Sequence, residues 1–186
     1  MRVIAGQAKG LHLESPNKST VRPTTELVRG AIFSMLEVMI DDWTPALDMY
    51  AGSGALGIEA LSRGAQWVDF VEQNAKCCSI IKGNLIKVGF QDLAHVYCMN
   101  AHQAIFRLTS KYKIVLMDPP YANAAIPSTV ERLLASALIN DDSTVVVQHS
   151  LSCLLAEAIG NFSLVKNRHY GDTCISIYQK GALPCS

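Results

Sequence analysis

Residues 46–57, with the sequence ALDMYAGSGALG, decide the fold of this chain. The first five of them are mostly apolar and predict a buried strand, and Gly52, Gly54 and Gly57 match the pattern G-x-G-x-x-G. Such a turn lets the backbone approach a ligand and lets the following helix pack closely on the sheet. Glu72 ends the next predicted strand about twenty residues after Gly52, where a carboxylate can bind the hydroxyls of a ribose. The stretch therefore predicts a strand–turn–helix unit that binds a nucleoside.

Strands and helices alternate along the chain after this unit. Apolar runs predict strands at 46–50, 67–72, 95–99, 114–117, 144–148, 162–169 and 173–179. Helices are predicted from the glycine turn to residue 63 and at 75–88, 103–109, 128–138 and 151–159. This alternation predicts an α/β fold, a Rossmann-like and mostly parallel sheet with helices on both faces. Gly171 and Asp172 predict a hairpin between the last two strands, which adds an antiparallel strand at one edge.

The first thirty residues differ from the rest in pattern and charge. Residues 1–23 predict an N-terminal β-hairpin and basic extension, and residues 24–182 predict a single α/β domain. The whole chain has no net charge, which argues against a strongly basic nucleic-acid binder. Five cations nevertheless lie near its start: Arg2, Lys9, Lys18, Arg22 and Arg29. They are the candidates for contacts with RNA phosphates, although scattered cations also fit an ordinary surface.

The helix that begins the domain carries two apolar series. One starts at Leu27 and the other at Val28, each with an apolar residue at every fourth position. The two series together make one broad apolar face, so both are expected to lie in the core.

The composition fits one compact domain in a reducing compartment. Apolar residues make up 49% and charged residues 17% of the 186 residues. No apolar stretch approaches the length needed to cross a bilayer, and the N-terminus lacks the apolar core of a secretory signal. The six cysteines form no C-x-x-C pair, so reduced thiols are expected and a metal site is not. These features predict a cytoplasmic protein without a metal.

A second unusual segment, Asp118-Pro119-Pro120-Tyr121, follows the apolar run at 114–117. Residues before proline are held extended, and neither proline has an N–H to give to a neighbouring strand. The turn therefore presents a carboxylate and a free backbone carbonyl beside a flat aromatic ring. Two acceptors can hold the hydrogens of an exocyclic amine, and the ring can stack on the base that carries it. The segment predicts binding of a planar base through its amino group.

The glycine turn fits either NAD or S-adenosylmethionine, because both place an adenosine in such a crevice. Asp48 lies four residues before Gly52, where a carboxylate can bind the cationic amino group of a methionine moiety. A dinucleotide site instead needs helix N–H groups without a nearby anion, since its pyrophosphate is negative. Asp48 and the turn at Asp118 therefore favour S-adenosylmethionine.

With these residues placed, the chain resembles a class I S-adenosylmethionine-dependent methyltransferase. More narrowly, it is similar to the bacterial small-subunit ribosomal RNA guanine-N2 methyltransferase family. The matching segments are RVIAG at 2–6, RPTT at 22–25, LDMYAGSGALG at 47–57, EALSRGA at 59–65 and DPPY at 118–121. The last segment alone marks amino-methylating enzymes in general, and its combination with the first two is more specific. The resemblance covers almost the whole chain.

The resemblance implies methyl transfer to the N2 amine of one guanine in small-subunit ribosomal RNA, within an assembling or assembled 30S particle. It implies a seven-stranded sheet whose last strand is antiparallel. It places the cofactor against Asp48, Ala51, Gly52, Ser53, Gly54, Glu72, Gln73, Asn100 and Ala101, and the target base against Asp118, Pro119, Pro120 and Tyr121.

Two residues depart from the pattern expected of that family. Asn100 stands where an acid is common, and Gln148 stands where a glutamate is common. An asparagine oxygen accepts a hydrogen bond as a weaker, neutral partner, so these departures bear on cofactor affinity.

Other functions fit parts of the pattern. A DNA adenine or cytosine amino-methyltransferase would use the same turn, but it needs a target-recognition region for which this chain has no room. An amide methyltransferase of release factors would carry Asn-Pro-Pro-Tyr at that turn. An NAD-dependent oxidoreductase is favoured by the glycine pattern and disfavoured by Asp48. A non-catalytic ribosome-assembly factor would bind S-adenosylmethionine without turnover.

Overall fold

The computed structural model describes residues 1–16, 26–120 and 124–181 of the chain. These residues form one eight-stranded sheet with helices on both faces. The helices are α1 (Glu26–Met39), α2 (Ala55–Ser62), α3 (Ala75–Val88), α4 (Ala101–Arg107) and α5 (Ile126–Leu134). The strands are β1 (Ala46–Met49), β2 (Val68–Glu72), β3 (Ala94–Cys98), β4 (Ile114–Met117), β5 (Thr144–Ser150), β6 (Ala158–Ile159), β7 (Phe162–Tyr170) and β8 (Thr173–Lys180).

The strand order in the sheet is β3-β2-β1-β4-β5-β8-β7-β6. Strands β1 to β5 run parallel to one another, and β8 runs antiparallel between β5 and β7. The chain order reverses between β1 and β4, and in open α/β sheets ligands bind beyond the carboxyl ends of the strands at such a switch point. The topology therefore brings the segments that follow β1 and β4 together.

Each face of the sheet has its own apolar core. The side covered by α1, α2 and α3, here named the α1 face, receives Ala46 of β1 and Leu116 of β4. The opposite side, covered by α4 and α5, receives Leu47 and Met117 of the same strands. Because successive strand residues point to opposite faces, Asp48 belongs to the α1 face. The parallel strands are buried on both sides, which explains their nearly continuous apolar runs.

The α/β architecture is confirmed, and three details at its C-terminal end differ from expectation. An eighth strand, the two-residue β6, adds to the seven expected strands, and the last strand lies inside the sheet and not at its edge. Strand β8 pairs with β5 on one side and with β7 on the other, and its residues 173–178 are buried. The helix predicted at 151–159 is wrong: β6 occupies its end, and Leu154 is 84% exposed. Cys153, Leu155 and Ile159 of this segment are partly buried against the core on the side of α4 and α5, and their spacing does not follow the period of a helix.

Helix α1 buries one of its two apolar series fully and the other in part, since Ala31 and Met35 are partly buried against the same core. Val28, Ile32 and Leu36 lie in the core of the α1 face. Leu27 is 71% exposed, which makes the expectation for the first series wrong at its start. The helix packs on the sheet through a stripe narrower than its apolar surface.

The N-terminal hairpin is present in a short form and packs into the main core. Arg2 and His12 form an antiparallel bridge, and the Val3 N–H donates to the Leu11 carbonyl at 3.0 Å. Val3, Ala8 and Leu13 are buried together with residues of α1 and α2. The apolar residues of this segment therefore belong to the same core as those of the α/β domain.

A buried acid fixes that segment to α2. The Glu59 carboxylate accepts hydrogen bonds from the Ile4 N–H at 2.8 Å and the Ala5 N–H at 3.0 Å. It also pairs with Arg63 at 2.8 Å and with Arg29 at 3.6 Å. Both Glu59 and Arg29 are fully buried. We name these five residues the N-terminal clamp.

Two findings bear on the environment of the chain. Within the described ranges, the helices all fall short of the length and apolar character that a membrane span requires. Cysteines 77, 78, 98, 153 and 174 are free thiols.

Candidate active site

The turn after β1 is built from backbone conformations that few residues adopt. Gly52 has φ of 58° and Gly54 has φ of 80° just before α2 begins. Gly57 lies on α2 where a Cβ atom would come within 2.3 Å of the Phe70 ring on β2. Its missing side chain therefore lets the helix lie directly on the sheet. The three glycines bring the helix N-terminus and the end of β1 to one edge of a cavity.

Tyr50 stands in this turn with φ of 72°, a conformation uncommon for a residue with a side chain. It lines a cavity of about 940 Å³ at the carboxyl end of the sheet. Burial raises the pKa of its phenol. The sequence analysis did not select Tyr50, because nothing in its neighbourhood marks a positive φ at a position without glycine.

Asp48 is the buried acid of this cavity, with 1% of its surface exposed. One carboxylate oxygen, Oδ2, accepts the Gly57 N–H at 2.8 Å. The other, Oδ1, is buried and has no hydrogen-bond partner within the protein. Burial, and then the nearby charges of Asp118 and Glu72, raise the pKa of Asp48 to about 7. A cationic group beside Oδ1 would give this oxygen a partner and favour its ionised form.

Glu72 is held at the end of β2 by two backbone groups. Its Oε2 accepts the Gly52 N–H at 2.9 Å and its Oε1 accepts the Asn74 N–H at 2.7 Å. A carboxylate oxygen has room for further hydrogen bonds, so both oxygens can also accept from a pair of hydroxyls. The contact with Gly52 fixes the acid and the glycine turn relative to each other.

The proline turn enters the same cavity from β4. Met117 is in register with Met49 of β1, so the chain leaves β4 beside Tyr50. Asp118 is half-buried, and it lines the cavity together with Pro119 and Pro120. Tyr121 lies outside the described residues. Two acidic side chains from neighbouring strands, Asp48 and Asp118, thus face one space.

Asn100 has a structural role that the sequence analysis missed. Its side-chain oxygen accepts the Gln103 N–H at 2.8 Å, and the Asn100 N–H donates to the Gln103 side chain at 3.3 Å. This capping box begins α4. Because asparagine is among the best N-cap residues, the departure at this position suits the helix start. The spacing of Asn100 and Gln103 was the available signal for it.

The structure brings most of the selected residues together. Those that line the cavity are Asp48, Ala51, Gly52, Ser53, Glu72, Gln73, Asn100, Ala101, Asp118, Pro119 and Pro120. Gly54 does not line it and instead packs against Ile81 of α3. The cavity also takes in Gln148, noted above as a departure from the family pattern, and residues that were not selected, among them Leu27, Tyr170 and Thr173. These three come from α1 and the β7–β8 hairpin, which the topology brings to the cavity.

The candidate RNA contacts separate into three groups. Arg2 and Lys9 are exposed. The expectation for Arg29 is wrong, since it is fully buried against Glu59 and donates to the Arg2 carbonyl. Lys18 and Arg22 lie outside the described residues. Among the residues that the structure describes, no group of three His, Cys, Asp or Glu side chains is arranged to hold a metal ion.

Comparison with known proteins identifies the family. A family model described as conserved hypothetical protein 95 matches residues 1–179. Ribosomal RNA small subunit methyltransferase D of Escherichia coli (strain K12) is 32% identical over 184 residues, covering 98% of this chain and 91% of that protein. The protein YlbH of Bacillus subtilis (strain 168) is 32% identical over 183 residues, covering 97% of this chain and 99% of YlbH.

The solved structures agree with the sequence relatives. The structure of yhhF from Escherichia coli matches with a TM-score of 0.84 at 30% identity, covering 98% of this chain and 99% of that chain. The fold is therefore that of the Rossmann-like methyltransferases. The chain belongs to the family described as conserved hypothetical protein 95, which is the family of ribosomal RNA small subunit methyltransferase D.

Proposed function

We propose that this chain transfers the methyl group of S-adenosylmethionine to the exocyclic N2 amine of a guanine in small-subunit ribosomal RNA. One observation carries the proposal: the glycine turn with Asp48 and Glu72 shares a single cavity with the Asp118-Pro119-Pro120 turn. A cofactor half and an acceptor half thereby share one space. The named relatives support ribosomal RNA as the substrate.

The cofactor half fits S-adenosylmethionine by its chemistry. The unpartnered Oδ1 of Asp48 suits the cationic methionine end, and the two oxygens of Glu72 suit the hydroxyls of a ribose. Three acids, Asp48, Glu72 and Asp118, line the cavity. That sign of charge suits a sulfonium ligand and opposes a pyrophosphate.

The acceptor half fits an amine on a planar base. The Asp118 carboxylate and the Pro119 carbonyl each accept one N–H, and this turns the nitrogen lone pair toward the cofactor half. When bound, S-adenosylmethionine supplies an electrophilic methyl group on a cationic sulfur. As the new carbon–nitrogen bond forms, positive charge grows on N2, and Asp118 stabilises it at close range. The methyl–sulfur bond would break with its electron pair on sulfur, so the cofactor would leave as a neutral thioether, and N2 would release one proton to the Asp118 carboxylate or to water.

Positioning supplies much of the rate. Holding two reactants in line is worth roughly 7–11 kcal/mol in favourable systems. The register of β1 with β4 provides this alignment, since it fixes the ends of both strands by backbone hydrogen bonds. The target guanine must leave its stack to reach the cavity, so it is expected in a loop or another unpaired region of the RNA.

The test is the variant Asp118→Ala with 30S particles that lack the modification. Transfer of labelled methyl groups is expected to fall about 10²–10³-fold, while calorimetry shows nearly unchanged binding of S-adenosylmethionine. The exposed Asp92→Ala is the matched control and is expected to keep full activity. Nucleoside mapping of the wild-type product should give N2-methylguanosine. Near-normal transfer by Asp118→Ala, or a methylated adenine as the product, would contradict the proposal.

A further inference from the structure

Strand β7 carries two cations, Lys166 and Arg168, on the stretch that leads to Tyr170 at the cavity. Arg168 is exposed and Lys166 is half-buried. The Arg168 side chain donates a hydrogen bond to the carbonyl of its neighbour Asn167 at 3.0 Å. Arg29 is buried in the core, whereas the side chain of Arg168 is exposed to solvent.

The register of the hairpin fixes the face on which these cations lie. Lys166 pairs with Ile177 and Arg168 pairs with Ile175. Both isoleucines are buried in the core of the α1 face. Residues directly opposite each other on neighbouring strands share a face, so Lys166 and Arg168 project from the α1 face. Because alternate strand residues line one face, Tyr170 follows them on the same side.

Tyr170 connects this row with the active-site cavity. It pairs with Thr173, and both residues line the cavity. Two residues along a strand are about 6.6 Å apart, so Arg168 lies one such step from the cavity wall and Lys166 lies two. Leu27 of α1, which is 71% exposed, lines the cavity as well. Tyr170 at the cavity wall and the two cations at alternate positions before it thus form one row on the α1 face.

We propose that Lys166, Arg168 and Tyr170, here named the β7 track, bind the single strand of substrate RNA next to the target base. The proposal rests on the proposed function and names the surface that function would use. Proteins bind single strands with cations that follow the phosphates and aromatic rings on which bases stack. The track has both parts in one line, and its positive charge is complementary to a polyanion.

An acidic peptide would also be attracted to the two cations. A peptide, however, has no base to place in the cavity beside the Asp118 turn, and no base to stack on the ring of Tyr170. The continuity of the track with the cavity that contains Asp118 therefore favours RNA.

The test measures RNA binding and methyl transfer for Lys166→Ala, Arg168→Ala and the double variant. The matched control is Arg107→Ala, an exposed arginine on α4 at the opposite face of the sheet. Unmodified 30S particles and protein-free small-subunit ribosomal RNA serve as probes. Each track variant is expected to raise KM for RNA about 3–10-fold with kcat at saturation unchanged, and to leave binding of S-adenosylmethionine intact. Arg168→Lys is expected to restore most of the loss.

Salt dependence separates a phosphate contact from a structural effect. For each phosphate contact removed, the slope of log affinity against log salt is expected to become shallower by about 0.7. Track variants with the wild-type salt slope and wild-type RNA affinity would overturn the proposal, and so would an equal effect of Arg107→Ala. If acidic peptides bind in a way that depends on Arg168 and RNA does not, the proposal that RNA is the partner is overturned. If wild-type protein binds RNA through the track but never methylates it, the track stands and the proposed function fails.

Discussion

The N-terminal clamp and the cavity end of β1 each contain a buried acid, and the two acids have opposite surroundings. Glu59 receives two backbone N–H groups and two arginines. Asp48 receives one N–H, and its other oxygen has no partner within the protein. Burial alone therefore does not mark a functional carboxylate. The oxygen without a partner distinguishes Asp48 and supports its proposed role, because such a buried oxygen costs free energy that a bound ligand can recover.

Asp48 and Glu59 are only eleven positions apart, and their places on β1 and α2 explain their different surroundings. Asp48 points from β1 toward the N-terminus of α2, where the glycine turn leaves space for a ligand. Glu59 lies further along α2, where the N-terminal segment covers the helix and supplies its N–H groups. Glu59 stabilises the fold, and Asp48 keeps one acceptor oxygen that could bind the proposed cofactor.

The largest effect is expected from Glu59→Gln, which breaks the clamp. The change leaves the buried Arg29 without the carboxylate it pairs with, and it leaves Arg63 with Glu37 alone. Removing one partner of a buried ion pair costs roughly 3–5 kcal/mol. Urea denaturation should therefore show a lower free energy of unfolding by that amount.

Glu37→Gln is the matched control, because Glu37 pairs with the same Arg63 but is half exposed. An exposed pair is worth at most about 1 kcal/mol. Equal losses for Glu37→Gln and Glu59→Gln would mean that the clamp contributes no more than a surface pair.

The second largest effect is expected from Asp48→Asn, which should raise the free energy of unfolding where Glu59→Gln lowers it. The pKa of Asp48 is about 7 in the folded chain against 3.8 for an ordinary aspartate, so the folded state binds the proton more tightly. Below about pH 4 the carboxyl is neutral in both the folded and the unfolded state, so it does not destabilise the fold. As the pH rises from 4 toward 7, the unfolded state loses the proton first, and the free energy of unfolding falls. Asp48→Asn keeps an acceptor for Gly57 without the charge. It should raise the free energy of unfolding by roughly 2–4 kcal/mol at pH 8, with little change at pH 4.

The same variant separates stability from function. Wild-type affinity for S-adenosylmethionine should rise through about pH 7 as Asp48 ionises. In Asp48→Asn the affinity should be lower, about 10-fold at pH 8, and should lose that part of the pH dependence. Denaturation and calorimetry between pH 5 and 8.5 test both statements. A variant less stable than wild type at pH 8, with unchanged affinity, would place Asp48 with Glu59 as a structural acid.

The smallest effect is expected from Arg2→Ala. The backbone carbonyl of Arg2 belongs to the clamp region, because it accepts from Arg29. Its side chain pairs with Glu26 at 3.2 Å, and both side chains are substantially exposed. Denaturation should show a change within about 0.5 kcal/mol. A loss above that would show that the side chain of Arg2, and not only its backbone, holds the segment in place.

The sequence by itself determined the strand–turn–helix unit, the proline turn and the acidic residues beside them. Gly52, Gly54 and Gly57 specify a backbone that other residues resist, and Pro119 and Pro120 specify a turn without N–H donors. These are local constraints, so the sequence shows them directly. The acids Asp48 and Asp118 were identified because each stands at a fixed offset from such a constraint.

The tertiary structure alone decided which charges and apolar residues remain available. Arg29 and Arg168 look alike in the sequence, yet one is fully buried and the other is exposed. The cause is packing between distant segments, since Glu59 meets Arg29 across thirty positions and β8 inserts between β5 and β7. The same long-range pairing carries Tyr170 to the cavity that begins at Gly52. No local pattern encodes such contacts, because they form only when distant segments come together in the folded sheet.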